Sequence, residues 1–526
     1  MTPRVLIADK LSPAAVAIFK ERGVAADSKP GLSKDELLKI IGDYDGLAIR
    51  SATKVTADVL KAAKKLKVIG RAGIGVDNVD IPAATAAGII VMNTPFGNSI
   101  TTAEHAIALM MAVARDIPAA NASTHAGKWE KNRFMGVELY GKTFGLIGCG
   151  NIGSIVADRA KGLKMRVIAF DPYLSPERAA GLGIEKVELD DLLARADFIS
   201  LHTPLTNETK NIISATSIAK MKKGTRLINC ARGGLVDEAA VKAALDSGQL
   251  GGAAFDVFVE EPATSNPLFG NDKVVSTPHL GASTSEAQEN VALQVAEQIS
   301  DYLLTGAVTN ALNMPSISAD EAQKVRPWIS LAEKLGAFAG QLTETSILAV
   351  EIVYEGTASA LNTRALTQAL LCGLLKPALS EVNMVNSPIV AKERGIRISE
   401  VRTDQIGAYE GYIKLTVSTA EMERSVAGTV FSNNRPRLIQ IKGIDLDAEF
   451  APHMLYITNE DKPGFIGRLG TLLGDASVNI ANFNLGRSAK GADAICVVQV
   501  DDQVPPQVLT AIRKLSPVKQ AKALVF

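Results

Sequence analysis

At 526 residues the chain is several times the usual domain of roughly 100–200 residues, so three or four separate cores are expected. Its 56 basic and 56 acidic side chains cancel, which removes the positive surplus that non-specific nucleic-acid binding requires. With 47% hydrophobic and 21% charged residues it reads as an ordinary globular chain, and no apolar run approaches the roughly 18 residues of a membrane span.

Met1-Thr2-Pro3-Arg4-Val5 leads directly into a first strand and does not resemble a signal peptide. From there to about residue 98, short β-branched runs at 4–8, 46–49, 67–69 and 89–92 alternate with helical stretches at 12–21, 33–41, 56–64 and 82–87. Ser12-Pro13 is a fitting N-cap and first-turn pair. The alternation predicts a doubly wound parallel sheet.

A long apolar helix over 101–115 leads into a second alternating series, with strands at 143–147, 166–170, 198–201, 226–229, 252–255 and 274–277. Six such strands predict a second doubly wound sheet. A helix over 285–304 is longer than one crossover needs and would return the chain to the first domain. The expected layout is therefore a substrate domain from 1–98 and 285–312, a Rossmann-type nucleotide domain from 99–284, an intervening α/β domain from 316–450 and a βαββαβ domain from 453–526. Asn313-Met314-Pro315-Ser316 is the expected linker, and the intervening domain carries no motif that points to chemistry.

Gly148-Cys149-Gly150-Asn151-Ile152-Gly153 places GxGxxG after a strand and at the opening of a helix. In that context Gly148 permits the tight turn, Gly150 lets a pyrophosphate approach the backbone, and Gly153 lets helix and strand pack closely. Asp171 ends the next strand, where a carboxylate accepts both ribose hydroxyls and repels a 2′-phosphate. Pro172 and Tyr173 supply no cation, so NAD is favoured over NADP.

Three further strand ends carry polar residues: Cys230-Ala231-Arg232-Gly233-Gly234, Glu260-Glu261-Pro262 and Pro278-His279. In a parallel sheet all three share one edge, so an Arg, a Glu and a His can converge. Singly they suit a helix cap, a surface acid and a structural histidine. Together they suit hydride transfer from a hydroxy acid: His279 takes the hydroxyl proton, Glu261 bonds the other ring nitrogen and stabilises imidazolium, and Arg232 forks onto the carboxylate.

Over about residues 1–312 these motifs resemble those of the D-isomer-specific 2-hydroxyacid dehydrogenases. The resemblance implies that the substrate domain closes on the nucleotide domain, excluding water. It also implies that Asn151 and Ile152 contact the phosphates, that Thr203 and Pro204 border the adenosine, and that Asp256 orients the nicotinamide carboxamide. Cys230, Ala231, Gly281 and Ala282 complete the implied cofactor neighbours.

Arg50-Ser51 and Arg71-Ala72-Gly73 follow two strands of the first domain, at ligand-binding ends. Amides of the glycine-rich loop suit a carboxylate, and Arg50, Arg71 and one of Lys131 or Arg133 suit a phosphate, unless these cations are spent on surface pairs. The whole chain resembles the long members of the family, which have a middle domain and an ACT domain. That likeness rests on Thr458-Asn459-Glu460-Asp461-Lys462-Pro463-Gly464 and Ser477-Val478-Asn479-Ile480.

It implies a phosphorylated hydroxy acid as substrate, a place at the head of serine synthesis, and a homo-oligomer, either dimer or tetramer. Asp461 and Asn479 are its candidates for gripping L-serine between paired ACT domains, with assembly alone as the other use. Alternatives are a glyoxylate or hydroxypyruvate reductase, which needs no phosphate clamp, and an NAD-sensing corepressor-like binding protein. Cys149, Cys230, Cys372 and Cys496 form no CxxC pair, which suits a reducing cytoplasm and argues against a structural zinc site.

Overall fold

A computed structural model describes residues 2–405 and 407–526. Its first sheet has five parallel strands in the order Ala25–Ser28, Arg4–Ile7, Gly46–Ile49, Val68–Arg71 and Ile90–Asn93. Ala25–Ser28 escapes a reading of the sequence because Ala-Ala-Asp-Ser carries no β-branched residue. It is an edge strand, anchored where Arg4 and Tyr44 both bond Asp27. The helix Ser285–Thr305 returns to this sheet, placing Val291, Val295 and Ile299 in one core with Val5, Ile7 and Val68. Its close approach requires Gly70, where a Cβ would stand 2.5 Å from Val295 and 2.6 Å from Ile299.

The second sheet is also parallel, in the order Val274–Ser276, Leu250–Phe255, Thr225–Asn229, Phe198–Leu201, Thr143–Ile147, Arg166–Phe170 and Glu185–Lys186. The seventh strand is a two-residue, charged edge that hydropathy could not mark. Successive strands depart in opposite directions from Thr143–Ile147, which opens a crevice beyond its carboxyl end. Helices Ser99–Ala114 and Asn151–Gly162 cover one face through Ala103, Ala106, Met110, Val156 and Ala160.

Beyond residue 318, helices Ala319–Leu342 and Thr363–Leu375 pack on a six-stranded mixed sheet. Its order is Arg397–Thr403, Ile347–Gly356, Gly411–Thr419, Glu423–Val430, Pro436–Ile441 and Ile444–Glu449, and the first pair is parallel. The two helices touch backbone to backbone. A Cβ on Gly336 would lie 2.0 Å from the Leu370 carbonyl oxygen, and one on Gly373 would lie 2.0 Å from that of Glu333.

The last unit runs His453–Glu460, Phe465–Asp475, Ile480–Arg487, Asp493–Val500, Pro506–Arg513 and Val518–Val525, a βαββαβ order on an antiparallel four-stranded sheet. One sheet face packs Leu455, Ile457 and Val498 against its own helices. The other joins the preceding unit, with Tyr456 edge-on to Phe338 at 5.6 Å. Among the described residues no helix is long and apolar enough to cross a membrane.

Replacing Gly336 with Val forces the helix pair apart. The expected cost is about 1–3 kcal/mol, read as a lowered unfolding midpoint, with NAD affinity unchanged.

Candidate active site

Gly148 adopts φ +94°, and a Cβ there would meet the His202 carbonyl oxygen at 2.5 Å. A Cβ on Gly153 would stand 2.3 Å from the Gly148 oxygen, so the third glycine is demanded by helix against strand. Gly150 differs: nothing of the protein lies within 4 Å of its Cβ position. Open space above Gly150, with Asn151 and Ile152 beginning the helix whose cap has no side-chain bond, leaves amides facing outward. This donor set fits a dinucleotide pyrophosphate.

Asp171 braces the same turn, accepting from the Cys149 amide at 2.8 Å and the Tyr173 amide at 2.8 Å. Burial, with Asp171 nearby, pushes the Cys149 thiol up to about 11, so this cysteine packs and does not react. His202, beneath the turn, is pushed down to about 4 by burial, stays neutral, and lies 2.9 Å from the Ser200 hydroxyl. Thr203 and the exposed Pro204 follow on the same strand end.

His279 and Glu261 meet directly, Nδ1 to Oε2 at 2.7 Å, while Glu261 Oε1 accepts from the Phe258 amide at 3.0 Å. Half-exposed His279 therefore has Nε2 without a hydrogen-bond partner among the described residues. Arg232 reaches across to the first sheet, where Nε donates to Asp77 at 3.1 Å. Nη1 donates to the Ala231 carbonyl at 2.7 Å, and a Cβ on Gly75 would sit 1.8 Å from Nη2, so the guanidinium lies flat on the glycine loop. Arg232 thus spans a cleft between the two sheets, with Glu261 and His279 on the nucleotide side of it.

Arg71 and Arg50 face the same cleft. Burial first, then repulsion from Arg232 and Arg50, presses Arg71 down to about 10, and its Nε has no partner among the described residues. Arg50 sits on a turn with exposed Ser51; that turn is fastened by Asp9, which accepts from the Arg50 amide at 2.6 Å and the Thr53 amide at 3.1 Å. Asn78 completes it, donating to the Arg50 and Thr53 carbonyls at 2.7 Å each. Asp9, Asp77 and Asn78 were missed as site residues. Asp9 lies just past the first strand, the same signal that picked out Asp171.

Several expectations change. The Gly73 amide donates to Thr94 Oγ1 at 2.6 Å, so it is not available to a carboxylate; the Ile74 and Gly75 amides have no partner among the described residues. Asp256 is 0% exposed and accepts from the Leu280 and Gly281 amides at 2.7 and 2.8 Å, so both of its oxygens are engaged by the loop after the neighbouring strand. Gly281 is buried, with its carbonyl taken by Thr102 Oγ1 at 2.8 Å; Ala282 beside it is half-exposed. Cys230 is buried and its thiol pushed up by burial, while Ala231 is half-exposed.

Arg133 bonds Glu130 and Asp272, and Asp272 precedes the strand Val274–Ser276 at the edge opposite His279. It and neighbouring Lys131 are therefore not in the cluster. Asp461 accepts from Arg487 at 2.8 Å and the Gly491 amide at 3.1 Å, whereas Asn479 donates to Asp501 at 2.7 Å. The ladder pairs Glu460 with Asp493 and Ile480 with Val500, so the two lie at opposite ends of the sheet and do not meet within one chain.

The family model for the NAD-binding domain of D-isomer-specific 2-hydroxyacid dehydrogenases matches residues 107–281. Those for the D-3-phosphoglycerate dehydrogenase intervening domain and the ACT domain match 324–442 and 453–517. D-3-phosphoglycerate dehydrogenases of Synechocystis and Archaeoglobus fulgidus are each 44% identical to the chain, over 98% and 97% of it and 94% and 98% of their own lengths. That of Bacillus subtilis is 41% identical, over 99% of both.

The chain belongs to the D-3-phosphoglycerate dehydrogenase family. It is an NAD-dependent dehydrogenase. Among solved structures, a glyoxylate reductase from Paecilomyes thermophila is 30% identical with a TM-score of 0.55, over 59% of this chain and 98% of that one. Apo D-lactate dehydrogenase from Escherichia coli is 29% identical with a TM-score of 0.53, over 59% and 99%. These shorter structures match the dehydrogenase portion common to the wider family.

Gly150→Ala should fold with an unchanged melting temperature yet bind NADH at least ~10-fold more weakly by fluorescence titration, about 1.4 kcal/mol. Gly153→Ala should lower both, because its methyl strikes backbone.

Proposed function

We propose that the chain oxidises D-3-phosphoglycerate to 3-phosphohydroxypyruvate with NAD, opening the synthesis of serine. The observation that carries this reading is the crowding of Arg50, Arg71 and Arg232, in which Arg71 is destabilised as a cation by burial and by the other two. Asp77 and Asp9 are the carboxylates whose charge opposes that repulsion. A substrate with a carboxylate at one end and a phosphate at the other supplies the missing negative charge, and guanidinium forks suit both groups. Glycerate would leave part of the cluster uncompensated.

In this reading Arg232 and the free amides of Ile74 and Gly75 hold the carboxylate, while Arg50 and Arg71 take the phosphate. His279 Nε2 accepts the proton of the C2 hydroxyl, and Glu261 fixes the ring and stabilises the imidazolium formed. Asp171 holds the adenosine ribose, with Thr203 and Pro204 beside the adenine and Ala282 near the nicotinamide. Bound NAD supplies the hydride acceptor.

Self-assembly belongs to the same proposal. Ile117, Trp129, Met135 and Tyr140 are exposed, Trp129 by 87%, an apolar group that a second copy would cover. Antiparallel pairing of the edge strand Ile480–Arg487 with its copy would set Asn479 of one chain beside Asp461 of the other, making a serine site at the joint. The four buried, unpaired cysteines suit a cytoplasmic setting.

The test is a rate panel with NAD. Activity on glycerate equal to that on 3-phosphoglycerate would sink the proposal. Arg71→Ala should raise the KM for 3-phosphoglycerate about 10- to 100-fold, the equivalent of charge-assisted bonds worth ~1.5–3 kcal/mol, and change that for glycerate little. Arg232→Ala should abolish turnover with NADH binding intact. L-Serine should slow the wild type and leave Asn479→Ala unaffected.

A further inference from the structure

We propose that His105 is a positioning residue for the dehydrogenase, acting through Asp256 on the loop that holds His279. The inference rests on His279 as the proton acceptor. His279 adopts φ +57°, a left-handed conformation that a residue with a β-carbon disfavours, so the loop must be held from outside. The next two amides do this: Leu280 and Gly281 donate to the two oxygens of Asp256 at 2.7 and 2.8 Å.

The clamp is only as firm as the carboxylate that makes it. Asp256 has no exposed surface, and a buried carboxylate stays charged and fixed only when several donors surround it. Burial works to raise its pKa, and hydrogen bonds, that from His105 first, reverse this and hold it below the ordinary range. Thr277 Oγ1 donates at 2.6 Å, but Thr277, Leu280 and Gly281 all belong to the segment being positioned. His105 comes from elsewhere. It projects from the helix Ser99–Ala114, with Nε2 3.2 Å from Asp256 Oδ1 and 3.1 Å from Thr277 Oγ1.

With its proton on Nε2, His105 ties the carboxylate to a rigid helix, and Thr102, one turn earlier, ties the Gly281 carbonyl to the same helix. Without the imidazole, Asp256 and its loop can shift as one body, and His279 loses its register with Glu261. His105 is itself only 19% exposed and among the described residues hydrogen-bonds neither Glu261 nor His279, so it acts on geometry and not on the reacting atoms.

Two substitutions in the full-length enzyme separate this role from packing. His105→Phe keeps the bulk and removes the donor; His105→Gln keeps an N–H donor and changes the shape. The proposal expects His105→Phe to lower kcat about 10- to 100-fold, the scale of a misplaced catalytic group, with the KM for 3-phosphoglycerate and the NADH dissociation constant little changed. It expects His105→Gln to restore most of kcat.

A near-normal kcat in His105→Phe, an equal loss in both variants, or a loss confined to KM would overturn it. His279→Asn, measured alongside, tests the underlying assignment separately: a normal rate there removes His279 as acceptor, whatever the His105 variants do.

Discussion

Where a parallel strand ends, its neighbour's amides lose their ladder partners, and the loops that begin there must carry the chemistry while remaining fixed. This chain meets that constraint the same way three times. An aspartate just past one strand accepts backbone N–H groups from the loop after the adjacent strand. Asp9, beyond Arg4–Ile7, takes the Arg50 and Thr53 amides beyond Gly46–Ile49. Asp171, beyond Arg166–Phe170, takes the Cys149 amide beyond Thr143–Ile147. Asp256, beyond Leu250–Phe255, takes the Leu280 and Gly281 amides beyond Val274–Ser276. The substrate turn, the cofactor turn and the histidine loop are each held by one carboxylate, whose charge strengthens every bond it accepts.

The arrangement explains what the sequence could disclose. Strands covered on both faces are continuous apolar runs, so those that carry the site were legible, as were GxGxxG and the Arg, Glu and His at strand ends. Ala25–Ser28 and Glu185–Lys186 were not, because edge strands need no apolar run. Asp256 was visible as an acid at a strand end. Its direction was not, since the atoms that orient it come from residues 105, 277, 280 and 281. Arg133 shows the reverse error: a cation of the right type, placed at the wrong sheet edge by its bond to Asp272.

The cleft has an electrostatic asymmetry that follows from the same economy of space. The nucleotide side is lined by neutral groups, Gly150 and a His202 that burial keeps uncharged, apart from Asp171. The substrate side carries the guanidiniums of Arg50 and Arg71 and receives that of Arg232 from across the cleft, against Asp77 and Asp9. One wall therefore offers backbone dipoles, while the other gathers positive charge that Asp77 and Asp9 only partly offset. Arg232 belongs to the nucleotide sheet but bonds Asp77 of the substrate sheet, so the ion pair spans the gap that a substrate would occupy.

Among the described residues, the units beyond residue 318 hydrogen-bond to the first sheet's side of this cleft. Asn383 and Asn386 donate to the Ala86 carbonyl at 3.2 and 3.3 Å, and Val385 enters the core of the first sheet. The last unit is fastened in turn to the intervening one, where Gln341 pairs with both the N–H and the carbonyl of Val525, and Gln499 donates to the Glu449 carbonyl. Movement between the two dehydrogenase sheets would thus carry the intervening and ACT units with the first sheet. A ligand held by the ACT unit would act on the cleft only if it favoured one separation of those sheets over another, because binding shifts a conformational balance by no more than its difference in affinity for the two states.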